Sequence, residues 1–153
     1  MYELGKKSLN KLALVHPDLA RVVKRAISLS EQDFTVVEGI RTLERQKELV
    51  ATGKSKTLNS RHLNGHAVDL APWVNGTIEW DDVKRFDTIA NAMLQAAIAE
   101  KVEVLWGSAW DLALNYRVSS VDALEAYLYD CKTKGKKPFL DRPHFQLTWR
   151  AYP

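Results

Sequence analysis

The sequence predicts an α+β fold in which a small antiparallel sheet is flanked by helices. Long segments repeat their apolar residues at helical spacing, and short β-branched or aromatic runs lie between them. The two kinds of segment mix without strand–helix–strand regularity, which argues against a parallel sheet. The chain has 153 residues, and residues 1–153 are expected to form a single domain. A chain of that size buries about 68–70% of its unfolded surface and builds a core without covalent staples.

Pro17 opens the first expected helix at a favoured position, and Leu19, Val22, Val23, Ala26 and Ile27 follow on one face. Phe34-Thr35-Val36-Val37 reads as a strand. Thr42 is a cap for a second helix running to about Thr52, stopped by Gly53. Residues 53–65 carry Gly, Ser, Asn and Lys and read as a loop. His66 to Leu70 is a short strand, and Asn75-Gly76 marks a hairpin within the turn region from Pro72 to Trp80. The strongest helix begins near Asp81, with Phe86, Ile89, Ala90, Met93, Leu94, Ala97 and Ile98 on one face. Val102 to Trp106 is a strand and residues 107–118 are irregular. Val121, Leu124 and Leu128 mark a last helix, ended by Lys134 to Pro138, and Phe145 to Leu147 is a final strand.

Composition narrows the class. With 46% hydrophobic and 27% charged residues, the chain is globular rather than disordered. The net charge of +3 fits an anionic partner, whether cell-wall polymer, membrane surface or nucleic acid, without choosing among them. Cys131 is the one cysteine, so an internal disulfide and a cysteine-rich metal site are both excluded, and it reads as a small core filler. No signal-peptide pattern and no membrane-length apolar run is present, so synthesis in the cytoplasm is expected.

The chemistry gathers around four histidines: His16, His62, His66 and His144. A catalytic zinc takes three protein ligands and leaves one position open. His62 and His66 are four apart, a spacing used on helices with a glutamate after the first histidine. Here Leu63 occupies that place and Gly65 opposes a helix. In the other arrangement, Ser60-Arg61-His62-Leu63-Asn64-Gly65-His66-Ala67-Val68-Asp69 brings His62 from the loop and Asp69 from the strand. Asp69 sits among Val68, Leu70 and Ala71. A carboxylate there needs a metal or a partner, and a loop-capping aspartate is the plainer alternative. Asp141-Arg142-Pro143-His144 supplies a third ligand in His144, with Pro143 stiffening the approach. Asp141, three residues earlier, faces the same place as a general base, or is an ordinary turn residue.

These residues resemble the zinc peptidases that include D-alanyl-D-alanine carboxypeptidases, vancomycin-resistance D,D-dipeptidases and phage L-alanyl-D-glutamate endopeptidases. The signature Ser-x-His-x-x-Gly-x-Ala-x-Asp is met by Ser60, His62, Gly65, Ala67 and Asp69. Arg41-Thr42, Gln46 and Gly53-Lys54-Ser55-Lys56-Thr57 look like the phage endolysin branch, as does the distant Asp141-x-x-His144. The likeness covers roughly residues 34–148. Where the branch often shows Trp-Gly-Gly-Asp-Trp, this chain has Trp106-Gly107-Ser108-Ala109-Trp110.

The resemblance implies a Hedgehog/D,D-peptidase-like fold and one Zn²⁺ on His62, Asp69 and His144. It implies Asp141 as general base and Arg41 as the cation beside the oxyanion. Ser60, Trp106 and Trp110 are candidates for the substrate groove, with a buried role as the alternative for the tryptophans. His66 reads as an exposed strand residue. The substrate implied is the peptidoglycan stem peptide, cut at L-Ala–D-Glu by a monomer, with no nucleic-acid partner. Such an enzyme lyses the host from the periplasm after a holin opens the inner membrane. The branch includes calcium-regulated members, yet Asp111, Asp122, Glu125 and Asp130 read as a solvated helix face and no Ca²⁺ site is assigned. A D,D-carboxypeptidase with the same metal site, and a non-catalytic basic domain around structural zinc, are the competing readings.

Overall fold

The computed structural model describes residues 1–153. The helices are α1 (Lys6–Leu12), α2 (Pro17–Leu29), α3 (Leu43–Ala51), α4 (Val83–Glu100) and α5 (Ser120–Thr133). The strands are β1 (Phe34–Glu38), β2 (Ala67–Val74), β3 (Thr77–Ile78), β4 (Val104–Trp106) and β5 (His144–Leu147). Short 3-10 turns cover Arg61–Asn64 and Leu114–Tyr116. Every strand pairing is antiparallel, in the order β1-β2-β5-β4, with β3 paired to β2. The expected α+β class is what the chain adopts.

Strand alternation divides the sheet into two working faces. Val36, Val68, Leu70, Val104, Trp106, Phe145 and Leu147 belong to the core, together with residues of α2 and α4. Helix α4 packs against both α2 and β2. The intervening residues, Asp69 on β2, Leu105 on β4 and His144 and Gln146 on β5, line a cavity on the opposite face. The functional side chains therefore stand on a sheet whose back is fixed by the hydrophobic core.

Local chemistry explains the element ends. His16 caps α2, its Nδ1 accepting from the Asp18 amide at 3.1 Å, and Pro17 takes the first helical position. Thr42 caps α3 by accepting from the Arg45 amide at 3.1 Å. Asn75 and Gly76, both at positive φ (52° and 80°), turn the β2–β3 hairpin as their sequence requires.

The structure departs from the sequence reading or adds to it at four places. Helix α1 was not foreseen. Strand β2 runs on to Val74 through Pro72. The Trp73 amide points to Asp33 on the β1 side and the Leu70 amide to Pro143 on the β5 side. Alternation then puts the missing N–H of Pro72 on the β5 side, where the β5 ladder has already ended at Asp69. Ile98, expected on the buried face of α4, is exposed near the helix end. In α5 the buried stripe is Ser120, Ala123, Tyr127 and Cys131, whereas Val121 and Leu128 face outward. Cys131 is the core filler it was expected to be.

Candidate metal centre and active site

Asp69 and His144 are directly opposed residues of β2 and β5, which puts both side chains on the cavity face. His62 comes from the 3-10 turn that precedes β2. Ser60 caps that turn, its Oγ accepting from the His62 amide at 3.2 Å, so Ser60 shapes the loop. Gly65 closes the turn at φ 74°, and a Cβ there would stand 2.9 Å from the Leu14 carbonyl oxygen. Only glycine meets both conditions.

His62, Asp69 and His144 each offer a donor atom, and these atoms lie within 4.8 Å of one another. Asp69 Oδ1 is 3.2 Å from His62 Nε2 and 3.3 Å from His144 Nδ1. The outward ring nitrogens have acceptors: His62 Nδ1 lies 2.7 Å from the Gly39 carbonyl, and His144 Nε2 lies 2.8 Å from Gln146 Oε1. A carbonyl oxygen only accepts, so each outward nitrogen carries a proton, and a ring that yields its inward proton from the Asp69 contact is left with the inward lone pair. That is the tautomer a metal needs. Burial by itself would raise the Asp69 carboxyl, but hydrogen bonds to His144 and His62 hold it far below the ordinary carboxylate range. Two imidazoles and a carboxylate, oriented from behind, fit a divalent metal with one open position.

Asp141 lines the same cavity but is not among the converging donors. Burial pushes its carboxyl upward and the negative charge of Asp69 adds to this, against the pull of His144, His62 and Arg41. A turn closed by the His144 amide on the Asp141 carbonyl at 3.1 Å carries both residues. Gly107 grips that turn on both sides. Its amide donates to the His144 carbonyl at 2.8 Å, and its carbonyl accepts from the Asp141 amide at 2.7 Å. A Cβ on Gly107 would lie 2.1 Å from the Asp141 carbonyl oxygen. The glycine retained at the start of Gly107-Ser108-Ala109 is thus the one that the site geometry demands.

Arg41 reaches the site with its guanidinium already engaged. Nε and Nη2 each donate to Glu38 at 2.7 Å, and Nη1 donates to Gln46 Oε1 at 2.7 Å. Nη2 also stands 3.6 Å from Asp69 Oδ2. A bulge in β1 between Val36 and Glu38 brings Glu38 opposite Asp69, where it can hold this arginine.

The structure separates the two tryptophans and corrects the expected placement of His66. Trp106 is fully buried, stacks on Phe145 at 6.4 Å and donates from Nε1 to the Arg142 carbonyl at 2.8 Å. It is a core residue that holds the 141–144 turn, not a groove wall. Trp110 does line the cavity, 5.4 Å from the His144 ring. His66 is half-buried ahead of β2 and packs edge-on against His16 at 5.2 Å. It is held there because the Gly65 carbonyl accepts from the His16 amide at 2.9 Å. Sequence reasoning also missed Gly39 and Gln146 as orienting groups. Strand alternation alone could have flagged Gln146, which shares a face with His144.

The family model for phage L-alanyl-D-glutamate peptidase matches residues 1–148. The L-alanyl-D-glutamate peptidase of Escherichia phage T5 is 35% identical over 132 residues, covering 84% of this chain and 93% of that protein. The L-alanyl-D-glutamate peptidase of a Listeria phage is 24% identical over 159 residues, 99% of this chain and 43% of its own length. Among solved structures, the Serratia marcescens L-Ala D-Glu endopeptidase ChiX is similar with a TM-score of 0.74 and 36% identity, covering 97% of this chain and 91% of that one. The chain belongs to the phage L-alanyl-D-glutamate peptidase family, and His62, Asp69 and His144 form its candidate metal site.

Proposed function

We propose that this chain hydrolyses the L-Ala–D-Glu amide of peptidoglycan stem peptides, using Zn²⁺ held by His62, Asp69 and His144 and Asp141 as general base. The observation that carries this reading is the convergence of those three donor atoms within 4.8 Å, beside the half-buried Asp141, whose surroundings favour the protonated carboxyl. Two imidazoles and one carboxylate are a donor set suited to zinc among the divalent metals. Bound zinc supplies Lewis acidity and makes water a competent nucleophile near neutral pH.

Asp141 takes the proton of the attacking water and returns it to the glutamyl amine as the C–N bond breaks. Its raised proton affinity suits both halves of that transfer. Arg41 is assigned a positioning role in place of the expected oxyanion contact. Its fork is occupied by Glu38 and Gln46, and it faces the second oxygen of Asp69. Gly39 and Gln146 fix the two imidazole rings. Trp110 forms one wall for the substrate.

The cavity has a volume of about 1010 Å³, and its lining brings His62, Asp69, Asp141 and His144 together. No helix is long and apolar enough to cross a membrane. On this reading the enzyme acts on the wall from the periplasm after holin release, which lyses the host. The test is mass spectrometry of Gram-negative peptidoglycan digested with the protein, with and without a chelator. New L-Ala carboxyl ends and D-Glu amino ends, abolished by chelator and restored by zinc, are expected. Release of D-Ala instead would point to D,D-carboxypeptidase activity. No product from folded, zinc-loaded protein would overturn the reading.

A further inference from the structure

The loop between α3 and the 3-10 turn is exposed, yet it is anchored from beneath by a side chain with no exposed surface. Gln46 is fully buried, and its Nε2 donates to the Thr57 carbonyl at 2.6 Å and to Ser55 Oγ at 2.9 Å. Its Oε1 accepts from Arg41, which in turn faces Asp69. The amides of Lys54 and Ser55 both donate to the Leu49 carbonyl, at 2.8 and 3.0 Å. Loop 54–57 is therefore positioned relative to the metal ligands by hydrogen bonds through Gln46 to Arg41, and from Arg41 by an ion-pair contact to Asp69.

That loop brings Lys54 and Lys56 into the wall of the cavity that holds Asp69, Asp141 and His144. The other cations there are paired or, in the case of Arg61, buried. Arg41 is paired with Glu38, Arg45 with Glu48 at 3.2 Å, and Arg61 donates to the Leu147, Thr148 and Tyr152 carbonyls. No carboxylate lies within ion-pair distance of Lys54 or Lys56. Lys56 is the better placed of the two. Its Nζ sits 4.8 Å above the ring of Phe139, two residues before Asp141 and stacked on Trp110 at 6.0 Å. The ring face holds the ammonium in place while leaving its N–H groups free to donate.

The substrate supplies the missing anion. A glutamyl residue has two carboxyl groups, and only one continues the peptide. The other is a free carboxylate a few bonds from the scissile nitrogen. We propose that Lys56 is a specificity-determining residue that binds this free carboxylate, on a loop that Gln46 holds in register with the metal site. The inference rests on the peptidase reading above.

The experiment compares kcat/KM of zinc-loaded protein on two stem peptides that differ only in that group, one a free carboxylate and the other a carboxamide. Wild type is expected to favour the carboxylate by about tenfold or more, the scale of a charge-assisted hydrogen bond. Lys56→Met should lose that factor on the carboxylate peptide and stay within about twofold on the carboxamide, because only the charged partner depends on it. Lys56→Arg should keep most of the preference. Equal wild-type rates on the two peptides, or a Lys56→Met defect of the same size on both, would overturn the proposal while leaving the peptidase reading intact. If wild type cuts neither peptide, the peptidase reading fails and the subsite falls with it.

Discussion

Asp69 and His144 face each other across β2 and β5 in register, with Oδ1 and Nδ1 3.3 Å apart. Two of the three candidate metal ligands are thus fixed by the sheet rather than by loops, which favours a pre-formed site. The far side of His144 is fixed by Gln146, its neighbour on the same face of β5. Gln146→Leu should leave the fold in place and free the ring to rotate and change tautomer. Zinc affinity, read by competition with a chromogenic chelator, is expected to fall about 10–100-fold. Unchanged affinity would show that the Gln146 contact does not orient the ring.

Asp141 shares the cavity with the three donors without being one of them. Asp141→Asn keeps the shape and removes the proton acceptor. The expected result is a loss of about 10²–10⁴-fold in kcat, with one zinc per chain retained. Metal analysis alongside the kinetics separates the roles: zinc lost together with activity would make Asp141 a ligand instead of a base.

How much of this was legible in the sequence depended on whether the cause was local. The 3-10 turn and β2 carry His62, Gly65 and Asp69 within ten residues, so the motif and its turn chemistry could be read directly. His144 is 75 residues beyond Asp69; the need for a third ligand singled it out among four histidines, and the resemblance tied it to the motif. Helix α1 went unseen because its fixings are tertiary. Ser8 meets Thr35 at 3.0 Å and accepts from the Val36 amide at 2.9 Å, while Lys11 donates to the Val37 carbonyl at 2.9 Å. Gly5 offers no side-chain cap to announce the helix. In α5 the spacing of Val121, Leu124 and Leu128 marked the helix, but of the three only Leu124 packs against the core. Packing there favours the small residues Ser120, Ala123 and Cys131, with the Tyr127 hydroxyl accepting from the Phe139 amide and donating to its carbonyl. Trp106 could not be assigned from type alone, because a buried indole and a groove wall differ only in what surrounds them.

Gly107 links those long-range features, since its backbone holds both Asp141 and His144. An added Cβ would meet the Asp141 carbonyl oxygen at 2.1 Å, and a backbone atom cannot swing away as a side chain does. Gly107→Ala should therefore displace the 141–144 turn. The expected destabilisation is about 1–3 kcal/mol, or roughly 2–4 °C in Tm per kcal/mol for a chain of this size. Activity should fall further than stability does, by about 100-fold or more at a temperature where the variant is fully folded. Wild-type turnover in a folded Gly107→Ala protein would contradict the coupling between this glycine and the site.

A pH dependence separate from the metal site follows from Tyr152 and Asp18. The Tyr152 hydroxyl donates to Asp18 Oδ2 at 2.6 Å, tying the C-terminal segment to the start of α2. That hydrogen bond, helped by Arg21, lowers the Asp18 carboxyl from its ordinary value of 3.8. Burial and the same bond push Tyr152 up to about 12. The signs are opposite in the two limbs. The depressed Asp18 contributes stability above about pH 4 that is lost as pH falls through its lower folded value. The raised Tyr152 contributes stability below about pH 10 that is lost as pH rises toward its folded value. Tyr152→Phe removes the bond at every pH and should lower stability by roughly 1 kcal/mol near neutrality, since the pair is partly exposed and solvent-screened. The gap between wild type and variant, followed by urea unfolding, should stay flat from about pH 5 to pH 9 and close at both extremes. A gap that persists unchanged below about pH 3 would show that the Asp18 charge does not contribute.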